Sequence, residues 1–266
     1  MPVTEVREAT VQLPGDPRLR LQVLQGGHGL DLLYLHGEAL KPRWTGFLDL
    51  LAKDFCITAP TLPGIPPSTG LEALDDPIDV ALAYHDLVRA LGLDRPIVVG
   101  HSIGGMFAAE MAAVEPDRLD ALVLAAPLGL WDDAHPVADL FALPPWEVME
   151  VLLRDPASPA VEEIASLPSD PQAMEAALIE RIQAGAACAK FLWPIPERGL
   201  RRRLHRISVP TLVLWGTDDR LAVPAYGERF RAAIHGARLE LVPDCGHMIP
   251  YEQPERFAAA VRGVIM

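Results

Sequence analysis

The chain has little cysteine: Cys56, Cys188 and Cys245 are the three among 266 residues, too few and too scattered for a disulfide framework or a four-ligand zinc site. That scarcity fits a reducing compartment. Positive charge is also in deficit, with 23 Lys and Arg against 36 Asp and Glu and a formal net charge of -13. Such a surface disfavours polyanions, which argues against nucleic acid and acidic membranes as partners and leaves a small or neutral molecule. The opening residues carry no basic segment leading into an apolar run, so a secretory leader is not expected. The longest apolar run, residues 121–131, contains Pro127 and is too short to span a bilayer. There is no internal repeat and no low-complexity linker. A cytoplasmic protein with no metal and no cofactor is therefore expected, as a monomer or homodimer, a choice that composition does not make.

What is present is apolar material, 50% of the chain, enough for one large core with a modest insertion. Short β-rich runs alternate with longer helical patterns, as in strand-helix-strand units of a mostly parallel sheet. Strands are predicted over 18–24, 30–35, 55–59, 97–99, 121–124, 211–214 and 239–242, and the last five read as runs covered on both faces. Helical patterns fall over 44–51, 79–91, 103–114, 225–234 and 254–264. The rhythm breaks between about 128 and 205, where prolines cluster and no convincing strand occurs. Pro145 there suits the first turn of a helix over 147–153. Ser169 with Gln172 resembles a capping box opening a helix with Met174, Leu178 and Ile182 on one face. This predicts a core domain of residues 1–127 and 205–266 with a helical cap, 128–204, inserted into it.

The strongest local signal is Ile97-Val98-Val99-Gly100-His101-Ser102-Ile103-Gly104-Gly105, an apolar strand running through Gly-x-Ser-x-Gly into an apolar helix. A serine on so sharp a turn is forced into a strained backbone region, and glycines two positions to either side relieve the crowding. The turn exposes the hydroxyl and points a helix N-terminus at the chemistry. Serine is a poor nucleophile alone and needs a base. His247 is the best placed of eight histidines, in a loop after the last predicted strand. His101 is expected to face the other side of the turn as a packing residue. His28, His85, His205 and His235 read as surface or structural.

The acid that orients the base is expected after a strand, between serine and histidine in sequence. Trp215-Gly216-Thr217-Asp218-Asp219 supplies that loop. Asp219 is preferred over Asp218, which suits turn stabilisation or solvent, and Asp132 or Asp133 is a more distant choice. For the oxyanion of a tetrahedral intermediate, the backbone amides of Glu38 and Ile103 are predicted donors. The Glu38 side chain is expected to turn away, because a carboxylate would repel the developing charge.

These motifs resemble the α/β-hydrolase family in its capped subgroup of esterases, meta-cleavage product hydrolases, haloalkane dehalogenases, epoxide hydrolases and cofactor-free haloperoxidases. The likeness extends to the His36-Gly37 strand end, the Ala59-Pro60-Thr61-Leu62-Pro63-Gly64 loop, and Gly246-His247 followed by Glu252-Gln253-Pro254. It implies an α/β fold with a mostly parallel eight-stranded sheet flanked by helices and carrying a cap. Glu252 and the late prolines are expected to fix the final helix and take no part in chemistry. Dehalogenases and epoxide hydrolases of the family use aspartate at the elbow, so Ser102 argues against both. The Glu38-Ala39-Leu40-Lys41 stretch lacks the glycines usual in meta-cleavage product hydrolases.

The resulting prediction is hydrolysis of a small hydrophobic or aromatic ester through an acyl-enzyme. Carbon-carbon cleavage of a vinylogous diketone, lactone or thioester hydrolysis, and ligand binding without turnover are the alternatives. Trp131, Phe141, Trp146, Trp193 and Met248 are the candidate pocket residues, with Phe191 a further aromatic of the cap. Arg201, Arg202 and Arg203 are expected to be a solvated hinge at the cap boundary. Cys245 is not expected to act as a nucleophile beside Ser102.

Overall fold

The computed structural model describes residues 5–37, 43–193 and 197–265, without the side chains of Pro145, Trp146 and Val161. Strands β1 (Arg7–Gln12), β2 (Arg20–Gly27), β3 (Leu30–Leu35), β4 (Phe55–Pro60), β5 (Ile97–His101), β6 (Leu122–Ala125), β7 (Thr211–Gly216) and β8 (Arg238–Val242) form one sheet of order β1-β2-β4-β3-β5-β6-β7-β8. β2 runs antiparallel to both of its neighbours, and β3 to β8 are parallel. Helices α1 (Gly46–Leu51), α2 (Pro77–Ala90) and α3 (Ile103–Val114) connect the first parallel strands, and α7 (Ala225–Ala233), α8 (Ile249–Glu252) and α9 (Pro254–Arg262) follow β7 and β8. Between β6 and β7 lie α4 (Pro145–Leu152), α5 (Ala160–Ala165) and α6 (Pro171–Leu192), with no strand among the described residues of that stretch.

Strands β5, β6 and β7 are buried at every position, because helices cover both faces of a parallel sheet and leave no polar side to alternate with. β8 departs from that expectation. It is the sheet edge, with Arg238, Glu240 and Leu241 exposed, so its apolar pattern does not report two-sided burial. β1 at the opposite edge is exposed along most of its length and its sequence, Arg-Glu-Ala-Thr-Val-Gln, carries almost no hydrophobic signal. It was not predictable as a strand for that reason, and it is held by backbone pairing to β2.

α3 is buried from Ile103 to Ala113, which its small apolar residues permit. Its one carboxylate, Glu110, is fully buried and accepts from Arg203 Nε at 2.7 Å and Nη2 at 2.6 Å. Arg203 is thus an anchor rather than part of a solvated hinge, whereas Arg201 and Arg202 are exposed. The start of α6 also differs from expectation. Asp170, not Ser169, caps it by accepting from the Ala173 amide at 2.9 Å, because Pro171 sets the first helical position and leaves the cap to the residue before it. Met174, Leu178 and Ile182 do share one face of α6, and that face is open to solvent, at 39%, 43% and 71% exposure. Among the described residues, no helix is long and apolar enough to cross a membrane.

Candidate active site

β5 delivers the chain to Ser102, which has φ 55° and ψ -119° and is followed at once by the first turn of α3. A left-handed φ at a residue with a side chain is strained, and the surrounding glycines make it possible. A Cβ on Gly104 would run into the carbonyls of Leu35 and His36, and one on Gly100 into the backbone of Gly104 and Gly105. The helix therefore starts hard against the end of β3. As the first residue of α3, Ile103 carries an amide for which the helix itself has no acceptor.

Two further strand ends bring their loops to the same edge. His247 Nε2 lies 2.7 Å from Ser102 Oγ, and His247 Nδ1 lies 2.8 Å from Asp219 Oδ2. The other carboxylate oxygen of Asp219 accepts from the amides of Leu221 at 2.9 Å and Ala222 at 3.0 Å. Both of its oxygens are thus engaged, and Nδ1–H is the imidazole's donor to it. Ser102 and His247 are fully buried and Asp219 is 3% exposed. A chain of hydroxyl, imidazole and carboxylate sheltered in this way can draw a proton from the serine and stabilise the imidazolium that results. Asp218, by contrast, is exposed and accepts from Thr217 Oγ1 at 2.7 Å. Asp132 is held in a separate cluster, by His135 Nδ1 at 2.8 Å and by Arg229, and Asp133 accepts from the Trp131 indole.

The histidine loop has supports that no local motif revealed. The His247 amide donates to the Leu152 carbonyl at 2.8 Å, and the His247 carbonyl lies 3.0 Å from His101 Nε2. His101 is therefore in contact with the histidine loop and does not face away from it. Its ring centroid is 5.4 Å from that of His247. His36 accepts from the Leu62 amide at 3.1 Å, which leaves Nδ1–H to donate to the Gly37 carbonyl at 2.7 Å. It thereby ties the end of β3 to the loop after β4. Glu252 Oε1 accepts from the Gly246 amide at 3.0 Å and Oε2 from the Arg154 amide at 2.9 Å, so it does more than fix the last helix. Arg220 donates to the Glu150 carbonyl at 2.8 Å. Burial pushes the Cys245 thiol well above its ordinary range, with Glu252 and Asp219 adding to the effect, so it stays a neutral packing group.

Beside the elbow is a cavity of about 50 Å³ whose walls include Met106, Leu128, Trp131, Phe141, Phe191 and Leu221. Leu128 donates its amide to the Ser102 carbonyl at 3.0 Å, and Leu221 is one of the two residues bonded to Asp219. Two of its wall residues are thus bonded to Ser102 and Asp219 through their backbones. Of the predicted pocket residues, Trp131 and Phe141 line it. Trp193 is half-exposed at the end of α6, and Met248 is buried in the histidine loop, with neither among the cavity walls. The Trp146 side chain and all of Glu38 lie outside the described residues. Among the described residues, no cluster of three or more His, Cys, Asp or Glu side chains is arranged to hold a metal ion.

An eight-stranded, mostly parallel sheet whose strand ends gather a serine elbow, an imidazole and a carboxylate defines the α/β-hydrolase class. The chain belongs to the alpha/beta hydrolase family, whose family model matches residues 32–260. Human monoacylglycerol lipase ABHD6 is 26% identical over 262 residues, covering 88% of this chain and 75% of its own length. A 2-hydroxy-6-oxo-6-phenylhexa-2,4-dienoate hydrolase of Burkholderia cepacia is 26% identical over 275 residues, covering 96% of this chain and 94% of its own. The crystal structure of a bacterial membrane phospholipase A superposes with a TM-score of 0.79 at 22% identity, over 98% of this chain and 86% of that one. That likeness concerns the fold.

Proposed function

We propose that this hydrolase cleaves carboxylic esters of small hydrophobic or aromatic acids through a covalent acyl-enzyme. Ser102 attacks the ester carbonyl as its proton passes to His247 Nε2. Asp219 holds the imidazole by Nδ1 and stabilises its charged form. The amides of Ile103 and Glu38 receive the oxyanion. The imidazolium then protonates the departing alcohol, and a water, deprotonated by the same imidazole, releases the acid. The observation that carries this reading is the continuous pair of short hydrogen bonds, 2.7 Å and 2.8 Å, ending on a serine held at positive φ.

Helices α4 to α6 act in this reading as a cap over the site. Ligand pockets for drug-sized molecules enclose about 300–1,000 Å³, whereas the apolar cavity beside Ser102 holds about 50 Å³ and the nucleophile is fully covered. The described state is then the closed one, and part of the cap has to move for an acyl group to enter. The Burkholderia relative, matched over nearly all of both chains, supports carbon-carbon cleavage of a dienoate as the second reading.

A panel of nitrophenyl esters graded by acyl length, run beside a chromogenic dienoate and repeated with Ser102→Ala, tests both. Ester turnover abolished in the variant is the expected result. Dienoate cleavage without ester turnover would transfer the assignment to the second reading.

A further inference from the structure

The Glu252 carboxylate joins two chain segments that are remote in sequence. One oxygen takes the Gly246 amide, directly before His247, and the other takes the Arg154 amide, just past the end of α4. The approach is close enough that a Cβ on Gly246 would stand 2.6 Å from Arg154 N, 2.9 Å from Glu252 Oε1 and 2.9 Å from Leu152 O. Leu152 in turn accepts the His247 amide at 2.8 Å, and the His247 carbonyl is met by His101 Nε2 at 3.0 Å. Arg220, next to Asp219, takes the carbonyl of Glu150 at 2.8 Å, and Arg154 pairs with Asp244 at 2.9 Å.

From this we infer that Glu252 is a positioning residue for His247: its carboxylate clamps the histidine loop to the last turn of α4 and so fixes the imidazole between Ser102 and Asp219. The inference rests on the role proposed for His247. The chemistry demands a carboxylate, since only an ionised acid offers an acceptor on each oxygen to two backbone donors. A glutamine of the same shape satisfies one amide and turns an N–H donor toward the other. The end of α4 is bound to the core through Leu152, Arg154 and Glu150.

The experiment compares the wild type with Glu252→Gln and Glu252→Asp, by amide hydrogen exchange and by kinetics on the best ester of the panel. The expected result for Glu252→Gln is faster exchange at Arg154 and at Gly246 and His247. Its kcat should fall by about tenfold to a hundredfold, the scale set by a misplaced catalytic group, with KM within about twofold and cooperative unfolding retained. Glu252→Asp keeps the charge on a stem too short to reach both amides, and its kcat should fall between the two. Unchanged exchange at both sites, or faster exchange with unchanged kcat, overturns the inference. So does a rise in KM with kcat intact. A wild type that turns over no ester, while exchange responds as expected, upholds the clamp and refutes the esterase reading instead.

Discussion

At the scale of single residues, the two neighbouring aspartates are the sharpest comparison. Asp219 is buried and makes three hydrogen bonds, with His247, Leu221 and Ala222, while Asp218 meets Thr217 at the surface. Asp219→Asn should lower kcat by about a thousandfold or more, because the amide presents a donor to Nδ1 and favours the wrong tautomer. Asp218→Asn should stay within about threefold, and steady-state kinetics on one ester separates the two. Glu252 carries a pH signature. Burial raises its carboxyl above the ordinary value, with Asp219 acting in the same direction and the amides of Arg154, Gly246 and Met248 opposing. The native state then holds this proton more tightly than the unfolded chain, so the ionised group costs stability at neutral pH and the cost disappears as pH falls through the raised value. Unfolding midpoints should therefore shift in favour of the wild type over Glu252→Gln on going from neutral to mildly acidic pH. Ser102 was legible because its constraint is local, a strand, two glycines and a helix. The part played by Glu252 was not, because its partners lie 98 and 6 residues away and leave no spacing to read.

At the scale of elements, the parallel strands announced themselves by unbroken apolar runs, and α3 by the same means. The edges did not: β1 is stabilised by pairing to β2 and not by burial, and β8 wears an apolar pattern that half faces solvent. Long-range anchoring was equally silent. Arg203 reads in sequence as one of three like arginines, yet it alone reaches the buried Glu110 of α3. Arg203→Leu should destabilise the fold by about 3 kcal/mol, since an ion left without its partner in the interior is costly. Arg201→Leu and Arg202→Leu should change stability by less than about 0.5 kcal/mol. Urea denaturation of the three variants decides the matter, and equal effects would remove the anchoring role.

At the scale of the whole molecule, three loops from the ends of β5, β7 and β8 converge on one edge of the sheet, and the proposed function depends on their contact. Family membership and the eight-stranded fold follow from the sequence because every element agrees with its neighbours. The volume and the wall of the cavity do not follow, since they depend on how α4 to α6 settle on the core. The proposed chemistry stands or falls with activation of the Ser102 hydroxyl by His247. Its most direct test is labelling by a fluorophosphonate, followed by mass spectrometry of the digested protein. One adduct is expected, on Ser102, formed by the wild type and formed at least about a hundredfold more slowly by His247→Ala. Labelling elsewhere, no labelling at all, or a rate indifferent to the loss of the imidazole would contradict it.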